Sequence, residues 1–192
     1  MTAGTGPARE GGGRVCATDG RSPQTPWVES PYDDAWRAFA ARFAFHPQYH
    51  ERELPAIEEP PGCLVLDLAG VFAGGPARFA AAVASVEASA ARVLLDLAGD
   101  EQVLALDWQH PAYRYSPHRL ALSGLRLPVP VFPDGDYYVH TPDDLRWGTF
   151  GHPWQQTLTL WGDELVTTLG VELATWLPVR PPDGHHRVGA QS

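Results

Sequence analysis

Residues 106–162 hold most of the side chains with which this chain could do chemistry. Asp107, Trp108 and His110 stand in LDWQH, and Tyr113 follows three residues later. Asp134 and Asp136 flank a glycine in PDGD, Tyr138 comes soon after, and His152 and Trp154 flank a proline in GHPW. An aspartate near a histidine is the pairing used for general acid–base catalysis, because the carboxylate orients the imidazole and supports its cation. Asp107, His110, Asp136 and His152 are therefore the candidates for a small enzyme site. The hydroxyls in this stretch, Ser116, Ser123, Thr149 and Thr157, lie in no GxSxG elbow, and no phosphate-cradling glycine loop is present. A metal centre would need three or four ligands brought together. There is no HExxH or paired CxxC, and Asp107-x-x-His110 is not a familiar ligand spacing, so neither a metal nor a cofactor is expected. The same residues also have a structural use: Asp134 shapes its turn, Asp136 and His140 end a strand, and His152 holds the GHPW corner. Trp108, Tyr113, Tyr115, Tyr137, Tyr138, Trp147 and Trp154 either line a partner groove or fill the core.

The elements that must position these residues follow from periodicity. Ser30-Pro31-Tyr32-Asp33 reads as a helix start, with serine as cap and proline at the first helical position. Tyr32, Trp36, Phe39 and Phe43, with Ala35 and Ala40, fall on one helical stripe that ends before Pro47. A proline- and glutamate-rich connection leads to an apolar run, CLVLDL, of strand length. Gly74-Gly75-Pro76 opens a second helix with Phe79, Val83, Val86 and Ala90 on its buried side; Val93, Leu94, Leu95 and Leu97 either continue it or form a further helix, and Gly99-Asp100 is the stop. Strands are expected over 101–107 and 113–115. Residues 125–132, with Pro128 and Pro130 on one side, read as an edge strand. Pro133-Asp134-Gly135 is a turn with positive φ expected at Gly135, returning through DYYVH. Thr141 to Asp144 reads as a short capped helix or a turn, and Gly148 and Gly151 flank a tight segment. Residues 155–161 alternate, with Thr157 and Thr159 opposite Leu158 and Leu160, which marks the clearest strand. A last helix carries Leu165, Leu169, Leu173 and Trp176 or Leu177; a hairpin through Gly162-Asp163 is the alternative. The fold class is α+β: a single domain over 28–180, with a mainly antiparallel sheet of about five strands and about three helices packed on it. Residues 1–27 and 181–192 read as disordered tails.

Composition narrows the function. The net charge is −9, and all fourteen basic residues are arginines. An acidic chain without a basic face does not bind nucleic acid. The first residues contain no apolar core segment for a leader, and no run is apolar enough for a membrane helix. Cys16 and Cys63 make no disulfide framework, in keeping with the cytoplasm.

Three blocks, LDWQHPAYRYSPH, PVPVFPDGDYYVH and GTFGHPWQQTLTLWGDEL, together resemble the bacterial proteins grouped as domain of unknown function family 2716. The similarity spans roughly residues 32–177. It implies that the blocks form one domain, and it brings no activity, substrate, cofactor or catalytic residue with it. Two functions are consistent with the sequence. The first is a non-enzymatic binding domain for a protein partner, of which toxin immunity is one version, with Asp107, Trp108, His110, Tyr113, Asp134, Asp136, Tyr138, His152 and Trp154 as the candidate face. The second is a small enzyme using the Asp/His set named above.

Overall fold

The computed structural model describes Met1 and residues 25–47 and 56–181. The expected tails lie almost wholly outside the described residues, as does most of the connection after the first helix.

One eight-stranded sheet organises the rest. Its strands are β1 (Trp27–Ser30), β2 (Leu64–Asp67), β3 (Val103–Asp107), β4 (Ala112–Tyr115), β5 (Tyr138–Thr141), β6 (Gly148–His152), β7 (Thr157–Trp161) and β8 (Val179–Arg180). They lie in the order β1-β4-β3-β5-β6-β7-β2-β8, and every pairing is antiparallel. The expectation of about five strands undercounts. The strands it lacked are the short β1 and β8 at the two edges, and β6, whose two glycines disguise it. An all-antiparallel sheet with helices on it is the α+β arrangement expected.

The helices are α1 (Tyr32–Phe43), α2 (Ala69–Phe72), α3 (Pro76–Ala98) and α4 (Pro117–Ser123), followed by a segment in which α5 (Asp163–Leu165) and α6 (Val171–Ala174) flank a π-helical turn over Val166–Gly170. There are thus more helical segments than the three expected. None of the described helices is long and apolar enough to cross a membrane. Ser30 does not cap α1. It is the last residue of β1, paired with Ala112, and Pro31 occupies the cap position without a side-chain bond. The aromatic stripe of α1 behaves as its spacing requires: Trp36, Phe39 and Phe43 are buried, and Ala44 ends the helix in the left-handed conformation.

Both faces of the sheet are covered, and strand alternation sorts the residues between them. Val103 and Ala105 of β3, Tyr138 of β5 and Leu158 and Leu160 of β7 pack with Val86, Ala90 and Leu94 of α3. Leu104, Leu106, Val139, Phe150 and Trp161 pack on the other side with Trp36, Phe39 and Phe43 of α1. Phe39 has no exposed surface; it stacks at 5.9 Å on Phe150 and lies 4.9 Å from Phe43.

Three sequence expectations fail here. Residues 125–132 form no strand. Pro128 and Pro130 have no N–H to give a ladder, and the remaining donors go elsewhere: the N–H groups of Val131 and Phe132 both donate to Glu87 Oε1 of α3, each at 2.8 Å. The segment is therefore pinned across α3 instead of paired at a sheet edge, and β5 returns between β3 and β6 instead. Gly135, for its part, does not have positive φ. Gly148 and Gly151 are inside β6, not beside a turn. A Cβ on Gly148 would meet the His140 carbonyl oxygen and the Trp161 ring at 2.5 Å, and one on Gly151 would meet Pro133 at 2.9 Å. These glycines allow close approach rather than chain reversal.

Candidate functional site

The nine candidate residues do not form one face. They divide into an aromatic group on the α1 side and a carboxylate group at the adjoining end of β3 and β5.

The aromatic group centres on Tyr137. Trp108, Trp154 and His152 lie around its ring at 5.7, 4.8 and 4.9 Å between centroids. His152 is two residues from Phe150 on β6 and so points to the same side, where it is almost fully buried. Tyr137 lies between His152 and Trp108 of the LDWQH block. The His152 ring bonds the backbone and not Asp107: its Nδ1 accepts from the Gln155 N–H at 3.1 Å, and Nε2 has no hydrogen-bond partner among the described residues. Burial lowers the His152 imidazole to about 4, so the ring is neutral at physiological pH. The neutral ring wedges the GHPW corner into the aromatic cluster. Tyr113, on β4, packs against the α3-side core.

The carboxylate group is built from two separate pieces of chain. Asp107 ends β3, His110 follows in the turn, and Asp136 precedes β5. One ligand-capable atom from each lies within 4.8 Å of the other two. Asp107 Oδ1 is 2.9 Å from His110 Nδ1. This hydrogen bond, reinforced by the Asp107 charge, raises the His110 imidazole above its usual range. Asp136 is buried, and its Oδ1 accepts from the Tyr137 N–H at 2.7 Å. Its carboxyl is raised above the usual carboxylate range, first by burial and then, against the backbone bonds it accepts, by the neighbouring charge of Asp107. Asp134 is exposed and accepts from the Tyr138 hydroxyl at 3.2 Å. Tyr138 is shifted upward by burial and by all three carboxylates, Asp134, Asp107 and Asp136. Among the described residues, no arginine forms an ion pair with Asp107, Asp134 or Asp136. Among the described residues the arginine ion pairs go to Asp34, Glu172, Asp143, Glu101 and Asp144. The carboxylate cluster's one ion pair is with His110.

Three surface cavities, of about 450, 230 and 700 Å³, are lined by other residues. Asp134 alone of the candidates reaches one of them, the groove between α3 and residues 125–130, whose lining also includes Glu87.

Sequence reasoning missed two polar arrangements. Glu87 is the staple described above. His140 is fully buried on the α3 side, with Nδ1 3.0 Å from the Tyr115 hydroxyl and Nε2 3.0 Å from the Val129 carbonyl. Glu87 had a signal, as an acid in the alanine-rich run of α3. The partners of His140 are remote in sequence and had none.

The family model described as "Protein of unknown function (DUF2716)" matches residues 28–166, a span that contains all three motif blocks. The resemblance read from those blocks is borne out. The Bacillus subtilis protein named "Uncharacterized protein YxiI" is 42% identical over 72 residues, which is 36% of this chain and 44% of that protein, so the match spans under half of the relative's length. No solved structure matches the chain.

Proposed function

We propose a binding role for this chain, which belongs to the DUF2716 family of proteins of unknown function. Its working face is the carboxylate end of β3 and β5, and its partner is a protein segment presenting arginine or lysine. One observation carries the reading: Asp107 and Asp136 lie together with His110, Asp134 bonds the Tyr138 hydroxyl nearby, and among the described residues none of the three carboxylates is ion-paired to arginine, while arginines pair five other acids. Carboxylates held so close repel one another. A basic side chain docking there would relieve that repulsion and gain charge-assisted hydrogen bonds. Trp108, half-buried beside the exposed Gln109 and His110, offers an aromatic anchor at the rim.

The test is affinity capture from the native host with the wild-type chain and with Asp107→Asn/Asp134→Asn. A stoichiometric partner released by raised salt and lost by the double variant is expected. A partner held equally by both chains sinks the assignment of the face.

The Asp107–His110 pair supports a second reading, an enzyme in which His110 Nε2 serves as acid or base. The oriented imidazole favours it. The exposure of the His110 side chain weighs against it, since catalytic groups work best where water is excluded.

A further inference from the structure

We propose that Asp107, His110 and Asp136 form a binding site for a first-row divalent metal ion of the zinc or manganese kind. The inference concerns the same end of the sheet, but rests on ligand geometry and not on the existence of a protein partner.

Ligand atoms around one such ion, each at roughly 2.0–2.2 Å, stand about 3–4.3 Å from one another. The three side chains already offer one atom each within a mutual 4.8 Å. Small side-chain rotations therefore suffice to close around an ion. Two carboxylates with one imidazole are a mixed oxygen and nitrogen set, suited to borderline divalent ions. The anchoring is graded. Asp136 is 4% exposed and fixed by the Tyr137 N–H, which gives the kind of outer support that orients a metal ligand. The His110 side chain is 66% exposed and can swing, which provides an entry path. The observation independent of spacing is the charge balance: among the described residues the buried Asp136 and its neighbour Asp107 have no arginine ion pair, and the exposed His110 is the one ionic partner of Asp107, so a divalent cation would supply positive charge there. Three protein ligands leave positions open for water or for a donor from a bound partner.

The test uses the full chain carrying His185→Ala and His186→Ala, which removes the adjacent pair of imidazoles near the C-terminus. Zn2+ is titrated by calorimetry and Co2+ by visible absorbance, in a buffer that does not chelate. One equivalent is expected to bind with a Kd of about 10 µM or tighter. His110→Ala and Asp136→Asn should each weaken it by about tenfold or more, as loss of a ligand requires, while Asp34→Asn, in an exposed ion pair on α1, leaves it unchanged. His110 is exposed, so its variant stays folded and interpretable. Absence of binding at about 1 mM metal, or full binding by His110→Ala, overturns the site. If metal binds but no basic partner is captured, the function proposed above fails alone; if the partner is captured but no metal binds, this inference fails alone.

Discussion

His140 and His110 stand near neighbouring strands and face opposite surroundings. His140 lies inside the α3-side core, where a tyrosine hydroxyl and a carbonyl engage both ring nitrogens and burial lowers its imidazole to about 4. His110 lies in solvent, held by one carboxylate and raised by it. His140 is thus neutral and bonded at both nitrogens, which is what packing demands of a buried imidazole. The end of the sheet keeps charged groups close together and leaves the charge unpaired by arginine, which packing does not demand. Departures of that kind mark sites shaped by function rather than stability. His152 belongs with His140 in this contrast: it is neutral and buried, although one of its nitrogens lacks a partner.

The contrast breaks if the interior tolerates substitution or the sheet end does not. Phe39→Ala should give the largest effect, about 3–5 kcal/mol in urea unfolding, since the ring is fully enclosed. A near-neutral result would show that α1 is not a core helix. Acid is the next probe. His140 and His152 have folded values near 4 against an ordinary 6.5, so the unfolded chain takes up their protons first. Their contribution is present above pH 6.5 and is lost as pH falls from there toward 4. Glu87 and Asp136, both raised, act in the opposite sense and offset part of the loss. A net fall of about 2–4 kcal/mol between pH 7 and pH 4.5 is expected; a flat profile would mean that the two imidazoles are not buried neutral. His152→Ala should cost about 1–3 kcal/mol, because the Gln155 N–H loses its acceptor and the Tyr137 ring loses a neighbour. Wild-type stability in that variant would move His152 from the interior class to the functional one. His110→Ala should stay within about 0.5 kcal/mol of wild type, as exposed substitutions do; a larger loss would make the sheet end structural.

What the sequence disclosed and withheld divides by distance along the chain. The stripe of α1, the long α3, the alternation of β7 and the closing helix were all readable, because each is a local periodicity. Residues 125–132 misled because two prolines among valines and leucines look like an edge strand, when the available N–H groups are taken by Glu87, 44 and 45 residues away. Gly148 and Gly151 misled because their reason is contact with Trp161 and Pro133, not a turn. At the site, Asp107, His110 and Asp136 were named from residue type alone. That they meet, while His152 turns away to Tyr137, follows from β5 lying between β3 and β6, which no local pattern announces.

The central claim is that the sheet end is held at a cost to the fold. Asp136→Asn tests it most directly. Asparagine keeps an oxygen for the Tyr137 N–H and removes the charge that burial and Asp107 both disfavour. Urea unfolding at pH 7 should show the variant as stable as wild type, or more stable by up to about 1 kcal/mol. A loss of more than about 1 kcal/mol, the net worth of a structural hydrogen bond, would show that the Asp136 carboxylate serves the fold and would contradict the account.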